Sequence, residues 1–399
     1  MKKQGSRVCV LGVALSLLTG SAMVNAQSLA AGESSVTEAV PGAAQIVVQE
    51  NVEAVELAPV EEGGFWDKFE WSLAISGVVQ GNMGSDVWDD QADAVYGIDL
   101  DAFFQLDDVN SFYVLLEAGG GEGVDGRIGT FSGWNDHAWG DDSIEVSEVW
   151  WERTWMDGRW RGRIGKVDLT TDFDTNAYAN DEVGQFMSSG FVNNLAVDIP
   201  DNTFGAMLWW QPAETLSVGL GYQSTSGWDD IFDRNFGILE IGWHPVFCGH
   251  QGNYRFYGWA GSWAEDPDEE MEAYSTYGWG FSFDQEITSK LGLWCRYGWK
   301  PDEEFNPIDQ HISFGFQLMN FDWRPNDTIG LGYGIATLSD SYAQTLENPD
   351  DEHHIELYYQ AQLTENIFLT PNFQWVDNAE GDAENDTVFV MGLRGVIAL

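Results

Sequence analysis

Six residues on either side of one Asp-Gly turn carry most of the chemistry this sequence offers a solute. Polar and aromatic residues alternate through Glu148-Val149-Trp150-Trp151-Glu152, cross Met156-Asp157-Gly158, and alternate again through Arg159-Trp160-Arg161-Gly162-Arg163-Ile164. An Asp-Gly pair between alternating segments predicts a tight hairpin, because both central residues of the favoured turn take positive φ. Pairing outward from it sets Thr154 opposite Arg161, Glu152 opposite Arg163 and Trp150 opposite Gly165 on one face. The other face carries Val149, Trp151, Trp155, Trp160 and Ile164, an apolar, tryptophan-rich surface suited to lipid. Glu148, Trp150, Glu152, Arg159, Arg161 and Arg163 then share the side that faces water. Guanidinium and carboxylate groups there can hydrogen-bond a hydroxylated solute, while Trp150 and Trp294 offer flat faces to a sugar ring. The bland alternative is that these charges neutralise one another and brace a wall.

Such a face has to be held by strands, and period-two alternation recurs along the chain. In 277–284 every odd residue is aromatic and every even one is small or polar. Ile355, Leu357, Tyr359, Ala361 and Leu363 alternate with His354, Glu356, Gln360 and Gln362, and Ile312, Phe314, Phe316 and Leu318 with His311, Ser313 and Gln317. The second face is Gly, Ser, Gln and Asn, which suits a water-filled lumen. About sixteen segments can be counted, the first at 69–83, the fourth and fifth at 143–156 and 158–166, the last at 386–399. An even number of antiparallel strands returns both ends to one side of a membrane. Connections alternate with them. Those at 107–110, 157–158, 211–214, 287–290 and 363–366 are short; those at 86–93, 122–142, 265–272, 301–309, 347–352 and 377–386 are long and acidic. The fold class is therefore all-β, a transmembrane antiparallel barrel with short periplasmic turns and acidic outer loops. The longest connection, 167–201, calls for a function of its own. It is expected to fold inward and narrow the channel, with Asp172, Phe173, Asn176, Phe186 and Phe191 at the constriction.

Lys2, Lys3 and Arg7 precede an apolar run at 8–18, and Val24-Asn25-Ala26 supplies a cleavage site, so 1–26 reads as a signal peptide. Residues 27–64, rich in Ala, Glu and Val, read as a flexible acidic periplasmic leader, and 65–399 as one barrel domain. No later run approaches the roughly 20 apolar residues of a membrane helix. Of the 17 Lys+Arg, three lie in the signal, leaving 14 against 65 Asp+Glu. That balance excludes nucleic acid as a partner. Cys248 and Cys295 are too few for a disulfide framework. The histidines, His137, His244, His250, His311, His353 and His354, stand beside no obvious nucleophile, so no enzyme is expected. His244, Cys248 and His250 have a spacing open to Zn²⁺, but a periplasmic turn is the plainer reading. His353 and His354 are placed on an outer loop. No cofactor is implied beyond Ca²⁺ that the acidic outer loops could bridge to lipopolysaccharide phosphates.

The segments 148–151, 157–168 and Asp172-Phe173 resemble the core motif of the carbohydrate-selective porins of the OprB type. So do Arg296-Tyr297-Gly298-Trp299, Gly330-Leu331-Gly332, Glu356-Leu357-Tyr358-Tyr359, the stretch 369–376 and Gly392-Leu393-Arg394. The resemblance implies a sixteen-stranded channel in the outer membrane of a Gram-negative-type bacterium, passing small sugars passively. It places pore-lining roles on Glu148, Trp150, Glu152, Arg159, Arg161, Arg163, Arg296 and Gln374; alternation adds Trp294 and Glu356. Expected partners are small carbohydrates, outer-membrane lipid and lipopolysaccharide, the barrel-assembly machinery and further copies in a homotrimer. Because an acidic vestibule concentrates cations, a cation-preferring porin is the alternative. A structural or adhesive protein with a closed lumen is the second.

Overall fold

Alternation along each strand dictates the wall. The computed structural model describes residues 68–85, 87–228, 230–263, 273–303, 305–385 and 387–399; the signal and the leader lie outside them. The strands are β1 (Phe69–Met83), β2 (Ala92–Asp107), β3 (Asn110–Gly121), β4 (Gly140–Trp155), β5 (Trp160–Val167), β6 (Thr203–Ala213), β7 (Leu216–Ser224), β8 (Asn235–Trp243) and β9 (Val246–Phe247). They continue with β10 (His250–Trp263), β11 (Tyr274–Thr288), β12 (Leu291–Trp299), β13 (Ile308–Leu318), β14 (Thr328–Leu338), β15 (Glu352–Thr364), β16 (Ile367–Asp377) and β17 (Val388–Ala398). Each wall strand pairs antiparallel with its neighbours in sequence, and β1 closes the sheet against β17. The two-residue β9 folds onto the start of β10 in a periplasmic turn, while β8 pairs with β10 in the wall. The barrel therefore has sixteen strands, each within about three residues of the expected span.

The outward set is apolar and bare: Val79, Leu220, Tyr277, Trp279, Phe314, Leu357 and Met391 are all exposed. An apolar band of that size belongs in hydrocarbon, not water. Trp71, Trp155, Trp210 and Trp243, exposed near the short-turn ends of their strands, make the interfacial belt. Closure leaves no unpaired strand edge in the lipid.

Two segments leave the outer rim and fold inside. Inner loop B (168–202), the long connection, carries one helical turn, α1 (Ser189–Val192). Inner loop A (122–139), expected as part of an acidic outer loop at 122–142, folds into the barrel instead. Val124, Ile128 and Trp134 are fully buried against Val376, Ala379, Val388 and Val390, because burying three large apolar groups outweighs keeping the loop in solvent. His353 and His354 are also corrected: both lie within β15, His353 outward against Tyr333 and His354 inward and buried.

Candidate functional site

The hairpin of β4 and β5 has the expected register, with Thr154 opposite Arg161, Glu152 opposite Arg163 and Trp150 opposite Gly165. Asp157 and Gly158 take φ of 57° and 79°, and Arg159 N donates to Met156 O at 3.3 Å, closing the turn. A bulge in β4, where Ser147 is the extra residue opposite the Leu115–Leu116 step of β3, turns both Ser147 and Glu148 inward. Arg163 donates from Nε and Nη2 to Glu152 Oε2 (3.1 and 3.0 Å) and from Nη1 to Asp172 Oδ2 (2.7 Å). Arg161 donates from Nη1 to Glu152 Oε2 at 3.2 Å and from Nη2 to Asp172. Two wall arginines thus clamp the start of inner loop B through one carboxylate. Burial alone would raise the Asp172 carboxyl, but Arg161 and Arg163 outweigh it and hold the group below the usual carboxylate range. Arg163 lies 3.9 Å over the Trp150 ring, which stacks on Tyr113 at 4.9 Å and donates from Nε1 to Glu148 at 3.0 Å. Its side chain keeps 2% of its accessible surface, whereas Arg161 keeps 29%. Arg159 is exposed on the periplasmic turn.

The remaining inward residues also hold loops. Arg296 is fully buried and donates to the carbonyls of Asp174 (3.1 and 2.9 Å), Phe191 (2.6 Å) and Ala179, and to Asn180 Oδ1 (2.8 Å). Glu356 accepts from Met187 N (2.6 Å), Ser188 N (3.0 Å) and Asn372 Nδ2 (2.6 Å). Gln374 donates to Trp134 O of loop A at 2.8 Å. Trp294 is covered by Phe186 and Phe191 of loop B, and Phe173 stacks on Trp209. Asn176 donates to Ser282 Oγ at 3.1 Å. The tryptophans expected as open sugar platforms are therefore covered, and the loop aromatics expected to line the opening face the wall. Large apolar rings bury themselves where a partner is at hand. Two anchors went unassigned in the sequence. Arg394 donates to the carbonyls of Glu182 and Gln185 (2.6 and 2.9 Å), and Glu352 accepts from Phe131 N and Ser132 N (both 2.9 Å). Their inward parity on β17 and β15 was the available signal.

What the loops leave to water is acidic. Asp136 of loop A is exposed, and Asp168, Asp181 and Glu182 of loop B are partly so. Glu182 is raised well above the usual carboxylate range, by burial first and then by Asp181, Asp136 and Asp99 of β2. Asp136, open to lumenal water yet enclosed by the surrounding loops and wall, is raised first by that desolvation and then by Asp168, and Asp168 by burial and Asp172. These carboxylates feel one another because they border a common space inside the barrel. Among the described residues no group of three or more His, Cys, Asp or Glu is placed to hold a metal ion. The acidic stretch 265–272 lies outside them.

Residues 88–399 match the profile of the carbohydrate-selective porin, OprB family. Porin B of Pseudomonas aeruginosa is 29% identical over 112 residues, 23% of this chain and 25% of that protein. An uncharacterised protein of Aquifex aeolicus is 32% identical over 84 residues, 21% and 27% of the two chains. These matches span only about a quarter of the relatives' length. A high-pH structure of OprB from Pseudomonas putida superposes with a TM-score of 0.70 at 20% identity, covering 84% of this chain and 95% of that one. Its low-pH structure gives 0.56 at 18% identity, covering 84% and 94%. A closed porin barrel with an inward loop, matched by the family profile along most of its length, is an outer-membrane protein of the Gram-negative type, and the chain belongs to the carbohydrate-selective porin, OprB family.

Proposed function

We propose that the barrel is a passive diffusion channel for small carbohydrates, which touch Arg161 as they pass inner loop B. One observation carries this reading. Arg161 is held by Glu152 and Asp172 yet keeps nearly a third of its side chain open, so a fixed guanidinium with free N–H donors faces the lumen. Trp150 acts behind it, supporting Arg163. Planar-bilayer conductance with added mono- and oligosaccharides tests the reading: sugar should block the open pore, and Arg161→Ala should weaken block roughly 10- to 150-fold, as expected for one lost charge-assisted hydrogen bond of about 1.5–3 kcal/mol. Absence of block by any sugar would sink it.

A cation preference is the second reading, favoured by the carboxylates Asp136, Asp168, Asp181 and Glu182 around the open space. Fixed negative charge in a narrow, low-dielectric passage raises the local cation concentration. Reversal potential under a salt gradient measures it, and Asp181→Asn should reduce it. The two readings are compatible, since neutral sugars cross a cation-preferring pore.

A further inference from the structure

The expectation that no histidine stands beside a nucleophile fails at the periplasmic end of the lumen. Ser217 Oγ of β7 lies 2.8 Å from His244 Nε2, and His244 Nδ1 lies 2.8 Å from Asn253 Oδ1 of β10. Asn253 Nδ2 donates to Asp284 Oδ1 of β11 at 2.6 Å, and Arg255 Nη1 donates to Asp284 Oδ2 at 2.7 Å. Asp284, paired with Arg255, can only accept, so Asn253 must turn its NH₂ toward it and its carbonyl oxygen toward the ring. That oxygen requires the imidazole proton on Nδ1. Nε2 is then left as a bare base receiving the Ser217 hydroxyl, the orientation a nucleophilic relay needs.

Local structure fixes each member. His244 directly follows β8, with its N donating to Thr215 O at 2.9 Å and Pro245 stiffening the chain after it. Gly242 is the register partner of Ser217, and a Cβ there would lie 2.4 Å from Ser217 Oγ and 2.7 Å from His244 Nε2. Only glycine admits this contact. Ser217, His244 and Asn253 are all half-buried, so the hydroxyl is both held and reachable.

We propose that Ser217, His244 and Asn253 form a serine esterase site in the periplasmic mouth of the channel, acting on carboxylic esters carried by entering solutes, O-acyl sugars first among them. The choice of O-acyl sugars rests on the carbohydrate reading; the relay itself does not. In the first half-reaction Ser217 Oγ bonds to the ester carbonyl carbon as its proton passes to His244 Nε2. The former carbonyl oxygen carries the negative charge of the tetrahedral intermediate. The carbon–oxygen bond to the sugar then breaks, and the leaving oxygen takes the proton from Nε2. Water attacks the acyl-serine next, giving one proton to His244. Collapse releases the carboxylic acid and returns that proton to Ser217. Ester and water become alcohol and acid, with no oxidant or reductant.

A fluorophosphonate, which phosphonylates activated serines, is the direct probe for the full-length protein folded in detergent, with heat-modifiable gel mobility certifying the barrel. One adduct on Ser217 is expected by peptide mass mapping, none with Ser217→Ala, and labelling at least 100-fold slower with His244→Gln. Asn253→Asp, which keeps the acceptor, should still label. Burial holds His244 below its ordinary value, against Asn253 and Asp284 and with Arg255. Labelling should therefore stay at its plateau at neutral pH and fall only below about 6.5. No adduct on Ser217 in the folded protein, or equal labelling in His244→Gln, would overturn the relay. If Ser217 labels but O-acetylglucose releases no acetate by proton NMR, the sugar-ester assignment falls. Single-channel conductance and sugar block should be unchanged in Ser217→Ala, so failure of the channel reading is seen separately.

Discussion

Arg296 has no solvent on its guanidinium and is ringed by three loop carbonyls and the side chains of Asn180 and Asp174. Replacing it with Met would take these donors from the three carbonyls and the cation from the Asp174 carboxylate, which keeps the Tyr257 hydroxyl at 2.7 Å, at a cost of roughly 3–5 kcal/mol for a broken buried pair. Inner loop B should detach while the wall persists, seen as a larger and noisier single-channel conductance in a protein that keeps its heat-modifiable mobility. Glu356→Gln is the milder counterpart: one oxygen becomes an NH₂ set against backbone donors, costing about 1–3 kcal/mol and raising conductance less. Unchanged conductance in Arg296→Met would mean the loop is held elsewhere. At this scale the sequence identified the inward residues but not their roles. Strand parity tells which side Trp150, Trp294, Arg296 and Glu356 occupy. It is silent on which loop atoms meet them there.

Inner loop A shows what an element adds. Its His137 sits with Nε2 2.9 Å from Ser76 Oγ of β1, and burial, with Arg394, pushes the imidazole down to about 4. The folded loop thus holds a neutral histidine, while the unfolded chain takes up a proton below its ordinary value of about 6.5. This contribution is complete above pH 6.5 and is lost as pH falls toward 4, on the order of 3 kcal/mol in all. Asp125 on the same loop, raised to about 6 by burial, works in the opposite sense below that pH. Comparison with His137→Gln isolates the histidine. Hydrogen exchange over 122–139 should rise in the wild type relative to that variant between pH 6.5 and 4; parallel curves would refute the assignment. Loop A read as an outer loop because its ends and its acids suggest solvent. Its three buried apolar residues are too irregularly spaced for periodicity to reveal. Loop B was legible through length alone.

For the whole molecule, the lipid face should tolerate no charge. Leu357, exposed outward between Leu331 and Phe373 in register, should cost about 2–4 kcal/mol as Leu357→Arg if it lies near the bilayer midplane, measured by urea unfolding in liposomes. A cost near zero would place that band outside the hydrocarbon. The lumen makes the opposite prediction. Because Glu182, Asp136 and Asp168 hold their protons above the usual carboxylate range, cation preference should begin to decline at a pH above the ordinary carboxylate value of about 4; constancy down to pH 4 would show that exposed rim acids set it. The sequence by itself determined the barrel: the number of strands, their approximate spans, the side most strand residues face and the register around Asp157-Gly158 follow from period-two alternation and turn chemistry, which are local. Only the tertiary structure decided the interior. Whether Arg161 is open and Arg163 closed, whether Trp150 is a platform or a prop, and whether Ser217 meets His244 depend on contacts between strands and loops distant in sequence, which no periodicity encodes.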